Sequence, residues 1–218
     1  MENKLEPKGV KKLIFIIVIY ILIIIALLII SYTTSSTFIS DLTTVSNWVL
    51  LTVGVFIVGI MIGNVRKKLE KDNDLIAEFI REKNYEDGIK YCLNTIEQSY
   101  FNSVVKNAKY NLLVLYLMAE EYNSAFNLLK IKKWGIYESS IIYFKAIECL
   151  YNGDLEAANF YYMELSKCKQ TYLSMQKDRL ARILHSIEKN DFEDKYYLDS
   201  EFPIIKKIYD KYANKNKF

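Results

Sequence analysis

The chain has 218 residues, 51% of them hydrophobic, and its 29 Lys and Arg against 26 Asp and Glu leave a net charge of only +3. This small surplus excludes the strong positive charge that is typical of nucleic-acid-binding proteins, so we expect no nucleic-acid partner. With one histidine and three cysteines that show no CxxC spacing, we expect neither a metal site, nor another cofactor, nor a disulfide framework.

The first predicted element is a long apolar helix near the N-terminus. Residues 13–31 contain no charge and no proline, and about 20 such residues span the hydrocarbon core of a bilayer. A cleaved signal peptide is the alternative, but the apolar run is longer than a usual signal core and no A-x-A site follows it. We predict a transmembrane helix over 13–31, preceded by a basic cytoplasmic segment over 1–12.

A second apolar stretch, 45–65, follows a Ser/Thr-rich loop over 32–44. Lysines precede the first stretch and a basic segment, 66–71, follows the second, whereas the loop contains neither Lys nor Arg. Positive residues stay on the cytoplasmic side of a membrane. We therefore predict a two-span hairpin in the lipid bilayer of a plasma membrane, with both termini in the cytoplasm.

The second stretch contains glycines at a spacing that lets membrane helices approach closely. Gly59 and Gly63 form a GxxxG pair, and Gly54 lies one and a half turns before it. We interpret these three residues as packing positions against the first span, and homodimerisation through the GxxxG face as the alternative. Neither span contains a charged residue, so the hairpin alone is not expected to form an ion path.

The rest of the chain, 72–218, contains a short pattern that recurs four times. Each copy has a polar turn, then an aromatic residue or Leu, and three positions later a residue that is small in three of the copies. The aromatic or Leu positions, spaced by 37, 33 and 37 residues, are Tyr85, Tyr122, Leu155 and Phe192. The residues three positions later are Gly88, Ala125, Ala158 and, in the last copy, Lys195. Apolar residues at steps of three and four precede the turns, which indicates antiparallel amphipathic helices that cross closely at the small residue.

This pattern resembles the tetratricopeptide repeat (TPR), which has a small residue near the start of its second helix and an aromatic residue three positions earlier. The family also has an aromatic residue in its first helix. In the second copy these three positions are occupied by Tyr116 in the first helix, Tyr122 and Ala125. The resemblance covers about 72–198, although the usual proline after each second helix is absent. It implies an all-α fold, in which the transmembrane hairpin precedes a cytoplasmic TPR-like domain over 72–218 with a C-terminal cap helix. An α-helical bundle without repeats is the alternative.

The resemblance also implies a concave groove, lined by the first helix of each pair, that holds a peptide or a helix of a protein partner. The corresponding positions are Asn107, Tyr110, Val114 and Leu117 in the second copy, and Ser140, Tyr143, Ile147 and Tyr151 in the third. This mostly aromatic and apolar set favours a hydrophobic or amphipathic partner segment. The alternative is that several of these residues belong to the core.

No nucleotide-binding, metalloprotease or nucleophile-elbow motif occurs in the chain, so we expect no catalytic residues and no enzyme activity. The sequence therefore predicts a membrane-anchored adaptor or scaffold for protein–protein interaction at the cytoplasmic face of a bacterial plasma membrane. The alternative is an accessory or regulatory subunit of a transporter or translocon that docks through its transmembrane hairpin.

Overall fold

The computed structural model describes residues 10–33, 37–192 and 202–215, and Lys195 of the fourth copy lies outside them. The described residues form nine α-helices and no strand, which confirms the all-α class. Two short 3-10 helices, Gly135–Tyr137 and Thr171–Leu173, precede the sixth and eighth α-helices. The α-helices are α1 (Val10–Thr33), α2 (Thr37–Arg81), α3 (Tyr85–Gln98), α4 (Asn102–Met118), α5 (Tyr122–Leu129), α6 (Glu138–Asn152), α7 (Leu155–Lys167), α8 (Ser174–Lys189) and α9 (Pro203–Lys215).

The chain divides into two compact units. The first comprises Met1–Leu75 and Asn94–Asn107, and the second comprises Ile76–Leu93 and Ala108–Phe218. The sequence predicts one domain over 72–218, whereas this division groups the end of α3 and the start of α4 with the N-terminal helices. Most of the predicted repeat region, including all four turns, belongs to the second unit.

In the first unit, α1 and α2 contact each other as antiparallel helices. The Tyr20 hydroxyl donates a hydrogen bond to the Leu50 carbonyl, and the hydroxyls of Ser31 and Thr44 lie 3.3 Å apart. A Cβ atom added to Gly54 would lie 2.7 Å from the Tyr20 hydroxyl oxygen. Glycine at this position therefore provides the space in which the Tyr20 side chain packs.

The GxxxG pair has a different environment. Among the described side chains, which on α1 begin at Val18, no atom lies within 4 Å of a Cβ atom built on Gly59 or Gly63. Packing of these two glycines against the first apolar helix therefore stays a prediction, as does dimerisation through them.

The segment Asp41–Arg81 of α2 is, on length and composition alone, the one helix in the described ranges that qualifies to cross a membrane. Its most apolar 18-residue window has a mean hydropathy of 2.2, and none of that window is buried. The described side chains of α1 form a shorter apolar helix, Val18–Thr33. One span is thus a candidate from the structure, and the second span stays a prediction.

The bounds of α2 differ from the predicted segment boundaries. The helix has 45 residues, which corresponds to about 67 Å at a rise of 1.5 Å per residue. It begins at Thr37, inside the predicted loop 32–44, and it continues through the basic segment 66–71 to Arg81 without a break. The predicted loop is therefore too long, and the predicted boundary at residue 72 is not a helix end.

Four turns in the second unit share one backbone geometry. In each turn a residue one or two positions after the end of the helix has a left-handed conformation. The amide of the next residue donates to the carbonyl five positions before it, which is the Schellman motif. The left-handed residues, again spaced by 37, 33 and 37, are Lys83, Glu120, Gly153 and Asn190, with φ of 57°, 62°, 88° and 52°. The closing bonds are Asn84 to Phe79 (2.9 Å), Glu121 to Tyr116 (2.8 Å), Asp154 to Cys149 (2.9 Å) and Asp191 to Ser186 (3.0 Å). The four predicted turns therefore occur at the predicted spacing in one conformation.

The small residues that follow three of these turns lie away from solvent, as a close helix crossing requires. Gly88, Ala125 and Ala158 are all buried. A Cβ atom added to Gly88 would lie 3.1 Å from both terminal methyl carbons of Leu115 and 3.3 Å from the Phe79 Cβ. A larger side chain at this position would force α3 away from the helices beside it.

Helix α6 lies at the centre of the second unit. It packs against α7, its partner in the predicted third pair, and also against α5, α8 and α9. Its buried side chains include Tyr143, Ala146 and Leu150. Helix α9 is the predicted final helix that starts at Pro203, and its contact with α6 places it on the predicted groove.

Candidate partner-binding groove

Most of the eight predicted groove positions on α4 and α6 are closed to solvent. Five are buried, namely Asn107, Leu117, Ser140, Tyr143 and Ile147. Three are half-buried, namely Tyr110, Val114 and Tyr151. A buried side chain cannot contact a partner while the residues that cover it stay in place. The five buried positions therefore agree with the alternative interpretation, in which several of these residues belong to the core.

Asn107 has a structural role within the first unit. Its side-chain amide donates a hydrogen bond of 2.9 Å to the side-chain oxygen of Asn73 on α2, and only 3% of its surface is exposed. A buried amide needs hydrogen-bond partners inside the protein, and Asn73 provides one. Asn107 therefore holds α4 against α2 within the first unit, and the remaining seven positions belong to the second unit.

The chain's own C-terminal helix covers the buried apolar positions of the second unit. An apolar gap with no room for a water molecule lies between α4, α6 and the start of α9 with the residue before it. Its walls are formed by Leu117, Tyr143, Phe144, Ile147, Phe202, Ile204 and Ile205. The Phe202 ring meets the Phe144 ring edge-on, with 6.0 Å between the centroids. Helix α9 thus occupies the place that the sequence assigns to a partner segment.

Two lysines anchor α9 at the turns that follow α4 and α6. The Lys207 ammonium lies 2.6 Å from a carboxylate oxygen of Glu120 and 4.7 Å from the centroid of the Tyr122 ring. The hydrogen bond with Glu120 raises the pKa of Lys207, so this side chain is cationic at neutral pH. The Lys211 ammonium donates a hydrogen bond of 2.6 Å to the Tyr151 carbonyl, in the last turn of α6.

A cleft of about 470 Å³ lies beside the Lys207 anchor, between α9 and the turn that joins α4 to α5. Its walls are formed by Glu120, Glu121, Tyr122, Asn123, Ser124, Tyr151 and Lys207. Two carboxylates against one ammonium give the cleft a net negative charge. This charge and the hydroxyl and amide groups around it suit a basic side chain.

An aromatic cluster lies near the start of α6. The Tyr110 ring stacks on the Tyr137 ring with 4.5 Å between the centroids and meets the Phe144 ring edge-on at 6.0 Å. Burial raises the pKa of Tyr110, although its hydrogen bonds with Ser140 and Gln176 act in the opposite direction. The hydroxyl is therefore neutral at physiological pH, and the structure brings the predicted positions Tyr110 and Ser140 together.

Sequence reasoning missed the residues of α9 as part of this site. The buried side chains of the helix are Ile204, Ile205, Ile208, Tyr209 and Tyr212, and lysines lie between them. These steps of one, three and four residues mark an amphipathic helix, and such a helix must bury its apolar face against another element. The predicted apolar groove was a surface against which the apolar face of α9 could be buried.

Outside this groove, no group of three or more His, Cys, Asp or Glu side chains is arranged to hold a metal ion in the described part of the chain. No protein-family model matches the chain, and it matches no curated protein and no solved structure. The case for a function therefore depends on the residues and their geometry.

Proposed function

We propose that this protein is a membrane-anchored adaptor, in which a helical hairpin in a bacterial plasma membrane presents a TPR-like array to the cytoplasm. The array binds a segment of a partner protein. The observation that carries this proposal is the turn that occurs four times in one conformation. Stacked helical hairpins form extended concave binding surfaces from their repeated elements. In this proposal α6 and the part of α4 that belongs to the second unit line such a surface.

The membrane anchor rests on the exposed apolar surface of the N-terminal helices. In α2, for example, Val55, Phe56 and Ile62 are 73%, 71% and 65% exposed, and an apolar surface of this extent is rare on soluble proteins. A bilayer would bury it. Lys and Arg outside both apolar stretches, with none between them, favour two spans with cytoplasmic termini, and the antiparallel contacts of α1 with α2 agree with a hairpin.

The surroundings of Gly59 and Gly63 favour a second candidate function. Because no described side chain lies against these glycines, another transmembrane helix can approach α2 closely there. The protein would then be an accessory or regulatory subunit of a transporter or translocon, and it would dock through its hairpin.

Photo-crosslinking in native membranes tests the adaptor function. A photoreactive residue at Val114 or Tyr151, two half-buried groove positions, is expected to give the same covalent adduct with one partner protein. The matched control is Phe160 on α7, which is 59% exposed and lies outside the predicted groove. An adduct that forms equally well at Phe160, or adducts with lipid alone, would contradict the proposal.

A full-chain variant with Gly59→Leu and Gly63→Leu separates the two candidate functions. The adaptor retains its crosslinked partner in this variant, because the groove is unchanged. The accessory subunit loses its partner during purification in mild detergent, because leucine side chains hold a second helix away.

A further inference from the structure

We infer that the groove selects a basic amphipathic helix, and that α9 is the resident helix which such a partner displaces. The inference depends on the proposed function, since it names the class of partner for the same groove. The proposed partner helix has lysines four positions apart and apolar residues at the spacing found in α9. Helix α9 itself has this pattern of lysines and apolar residues.

Helix α9 docks in a different way from the helices of the repeated pattern. The repeated turns end at Asn190, and the pairs before it cross at a buried small residue. The first turn of α9 instead contributes Ile204 and Ile205, which are 1% and 0% exposed. Large side chains inserted between receiving helices are typical of a helix bound in a groove. Helix α9 therefore shows how this groove receives a helix.

The two lysines of α9 contact two consecutive turns of the array. Lys207 pairs with Glu120 after α4, and Lys211 donates to the Tyr151 carbonyl at the end of α6. The carbonyls at a helix C-terminus carry a partial negative charge. Because Glu120 and Asp154 add a carboxylate to each of these two turns, the groove presents negative charge at both of them. A helix with lysines one turn apart complements this spacing.

The second of these turns has space for a basic side chain because it contains glycine. A Cβ atom on Gly153 would lie 3.2 Å from the Lys211 ammonium, and the φ of 88° at this position also disfavours a larger residue. The turn therefore combines the backbone conformation that ends α6 with a place for the incoming lysine.

The fit of α9 is incomplete at one position, and this lowers the free-energy cost of displacing the helix. The Tyr212 hydroxyl is buried and has no hydrogen-bond partner among the described residues. A buried polar group without a partner weakens the contact that buries it. A partner helix with an apolar residue at the corresponding position would keep the lysine anchors and the isoleucine contacts without this cost.

The test uses a fluorescent peptide with the sequence of 202–215 and the full chain in nonionic detergent. In the unchanged chain α9 competes with the peptide, so apparent binding is weak. The variant with Ile205→Asp and Ile208→Asp weakens the resident helix and is expected to bind the peptide about tenfold more tightly or better. Lys206→Asp is the matched control, because Lys206 is exposed, and it should bind as weakly as the unchanged chain.

Charge selectivity is measured with altered peptides on the Ile205→Asp, Ile208→Asp variant. A peptide with Lys207→Glu is expected to bind about tenfold more weakly, since it loses a charged hydrogen bond. A peptide with Lys206→Glu should bind like the original peptide. Adding Glu120→Lys to the chain should restore binding of the Lys207→Glu peptide. Equal binding of all peptides would overturn the selection of a basic helix.

Hydrogen exchange on the unchanged chain covers the case in which the double variant fails to fold. The amides of α9 are expected to exchange at least about tenfold faster than those of α6, because a displaceable helix opens without global unfolding. Equal protection would show that α9 is an integral part of the core and would overturn the inference.

A dimer of the unchanged chain that exchanges α9 between copies would make the occupant a second copy, which also overturns the inference. If Val114 gives partner adducts while the peptide binds no variant, the adaptor function stands and the helix chemistry is wrong.

Discussion

Side-chain volume at one position in each of three described hairpins sets how closely their helices cross. The two alanines at the start of α7 show this directly, since Ala158 is fully buried while its neighbour Ala157 is half-buried. Gly88 has the same role in α3, where even a methyl group would press on Leu115 and Phe79. The helix crossing therefore determines which residue type fits at position 158. Helix propensity does not, because alanine favours a helix equally at both positions.

We expect Ala158→Leu to lower the free energy of unfolding by about 1–3 kcal/mol, because the added carbons must enter a packed helix crossing. Ala157→Leu is the matched control and should change stability much less, since that side chain is only half-buried. Urea unfolding of the full chain in detergent, followed by circular dichroism, measures both. Equal effects of the two substitutions would contradict the close crossing.

At the scale of the element, the recurring turn explains how each helix ends. A left-handed residue reverses the chain while the Schellman bonds satisfy the last carbonyls of the helix. Only one of the four turns has glycine in this conformation, and Lys83 and Glu120 adopt it with a full side chain. A non-glycine residue in the left-handed region costs free energy, so these turns contain strain that a substitution can remove.

Lys83→Gly is expected to raise the free energy of unfolding by about 0.5–1 kcal/mol, because glycine adopts the left-handed conformation without a steric penalty. Lys83 is suited to this substitution because its side chain is exposed. The reverse substitution, Gly153→Ala, should lower stability by about 1 kcal/mol at the equivalent turn. Thermal unfolding of both variants measures the pair, and a change of the same sign in both would argue against a shared turn geometry.

Helix α2 shows why segment boundaries were the least accurate part of the sequence interpretation. The Ser/Thr-rich residues before the second apolar stretch are predicted as a loop, but the helix already begins at Thr37. Hydroxyl side chains can bond to the carbonyl four residues earlier in a helix, as Ser46 does to Leu42 at 2.8 Å. A change in composition at the end of an apolar stretch therefore need not end a helix.

On the scale of the whole molecule, the proposed adaptor combines two chemically different parts, an apolar hairpin suited to lipid and a polar array suited to water. In this proposal the array contains a groove, and the same chain supplies a helix that fills it. Tethering at a membrane raises the effective concentration of the array for partners in that membrane. Because the resident helix competes for the groove, a partner must bind the groove more favourably than α9 does in order to displace it.

The proposed topology predicts the labelling of single cysteines in intact cells, with the three natural cysteines replaced by serine. Asp41→Cys, at the exposed start of α2, should react with a membrane-impermeant maleimide, because the predicted loop side faces outward. Lys169→Cys, an exposed position after α7, should react only after lysis. Labelling of both sites, or of neither, in intact cells would contradict the two-span topology.

The sequence alone was sufficient for the helical class, the apolar N-terminal stretches, the four turns and the small residues after three of them. These features are local, because periodicity, turn residues and side-chain volume act over a few positions. The tertiary structure decided which apolar surfaces meet. The pattern of Tyr143 and Ile147 marks an apolar face, and that of Ile205 marks another, but neither pattern states that one covers the other. Burial is a property of such non-local pairs, and only the folded chain assigns α9 to the groove.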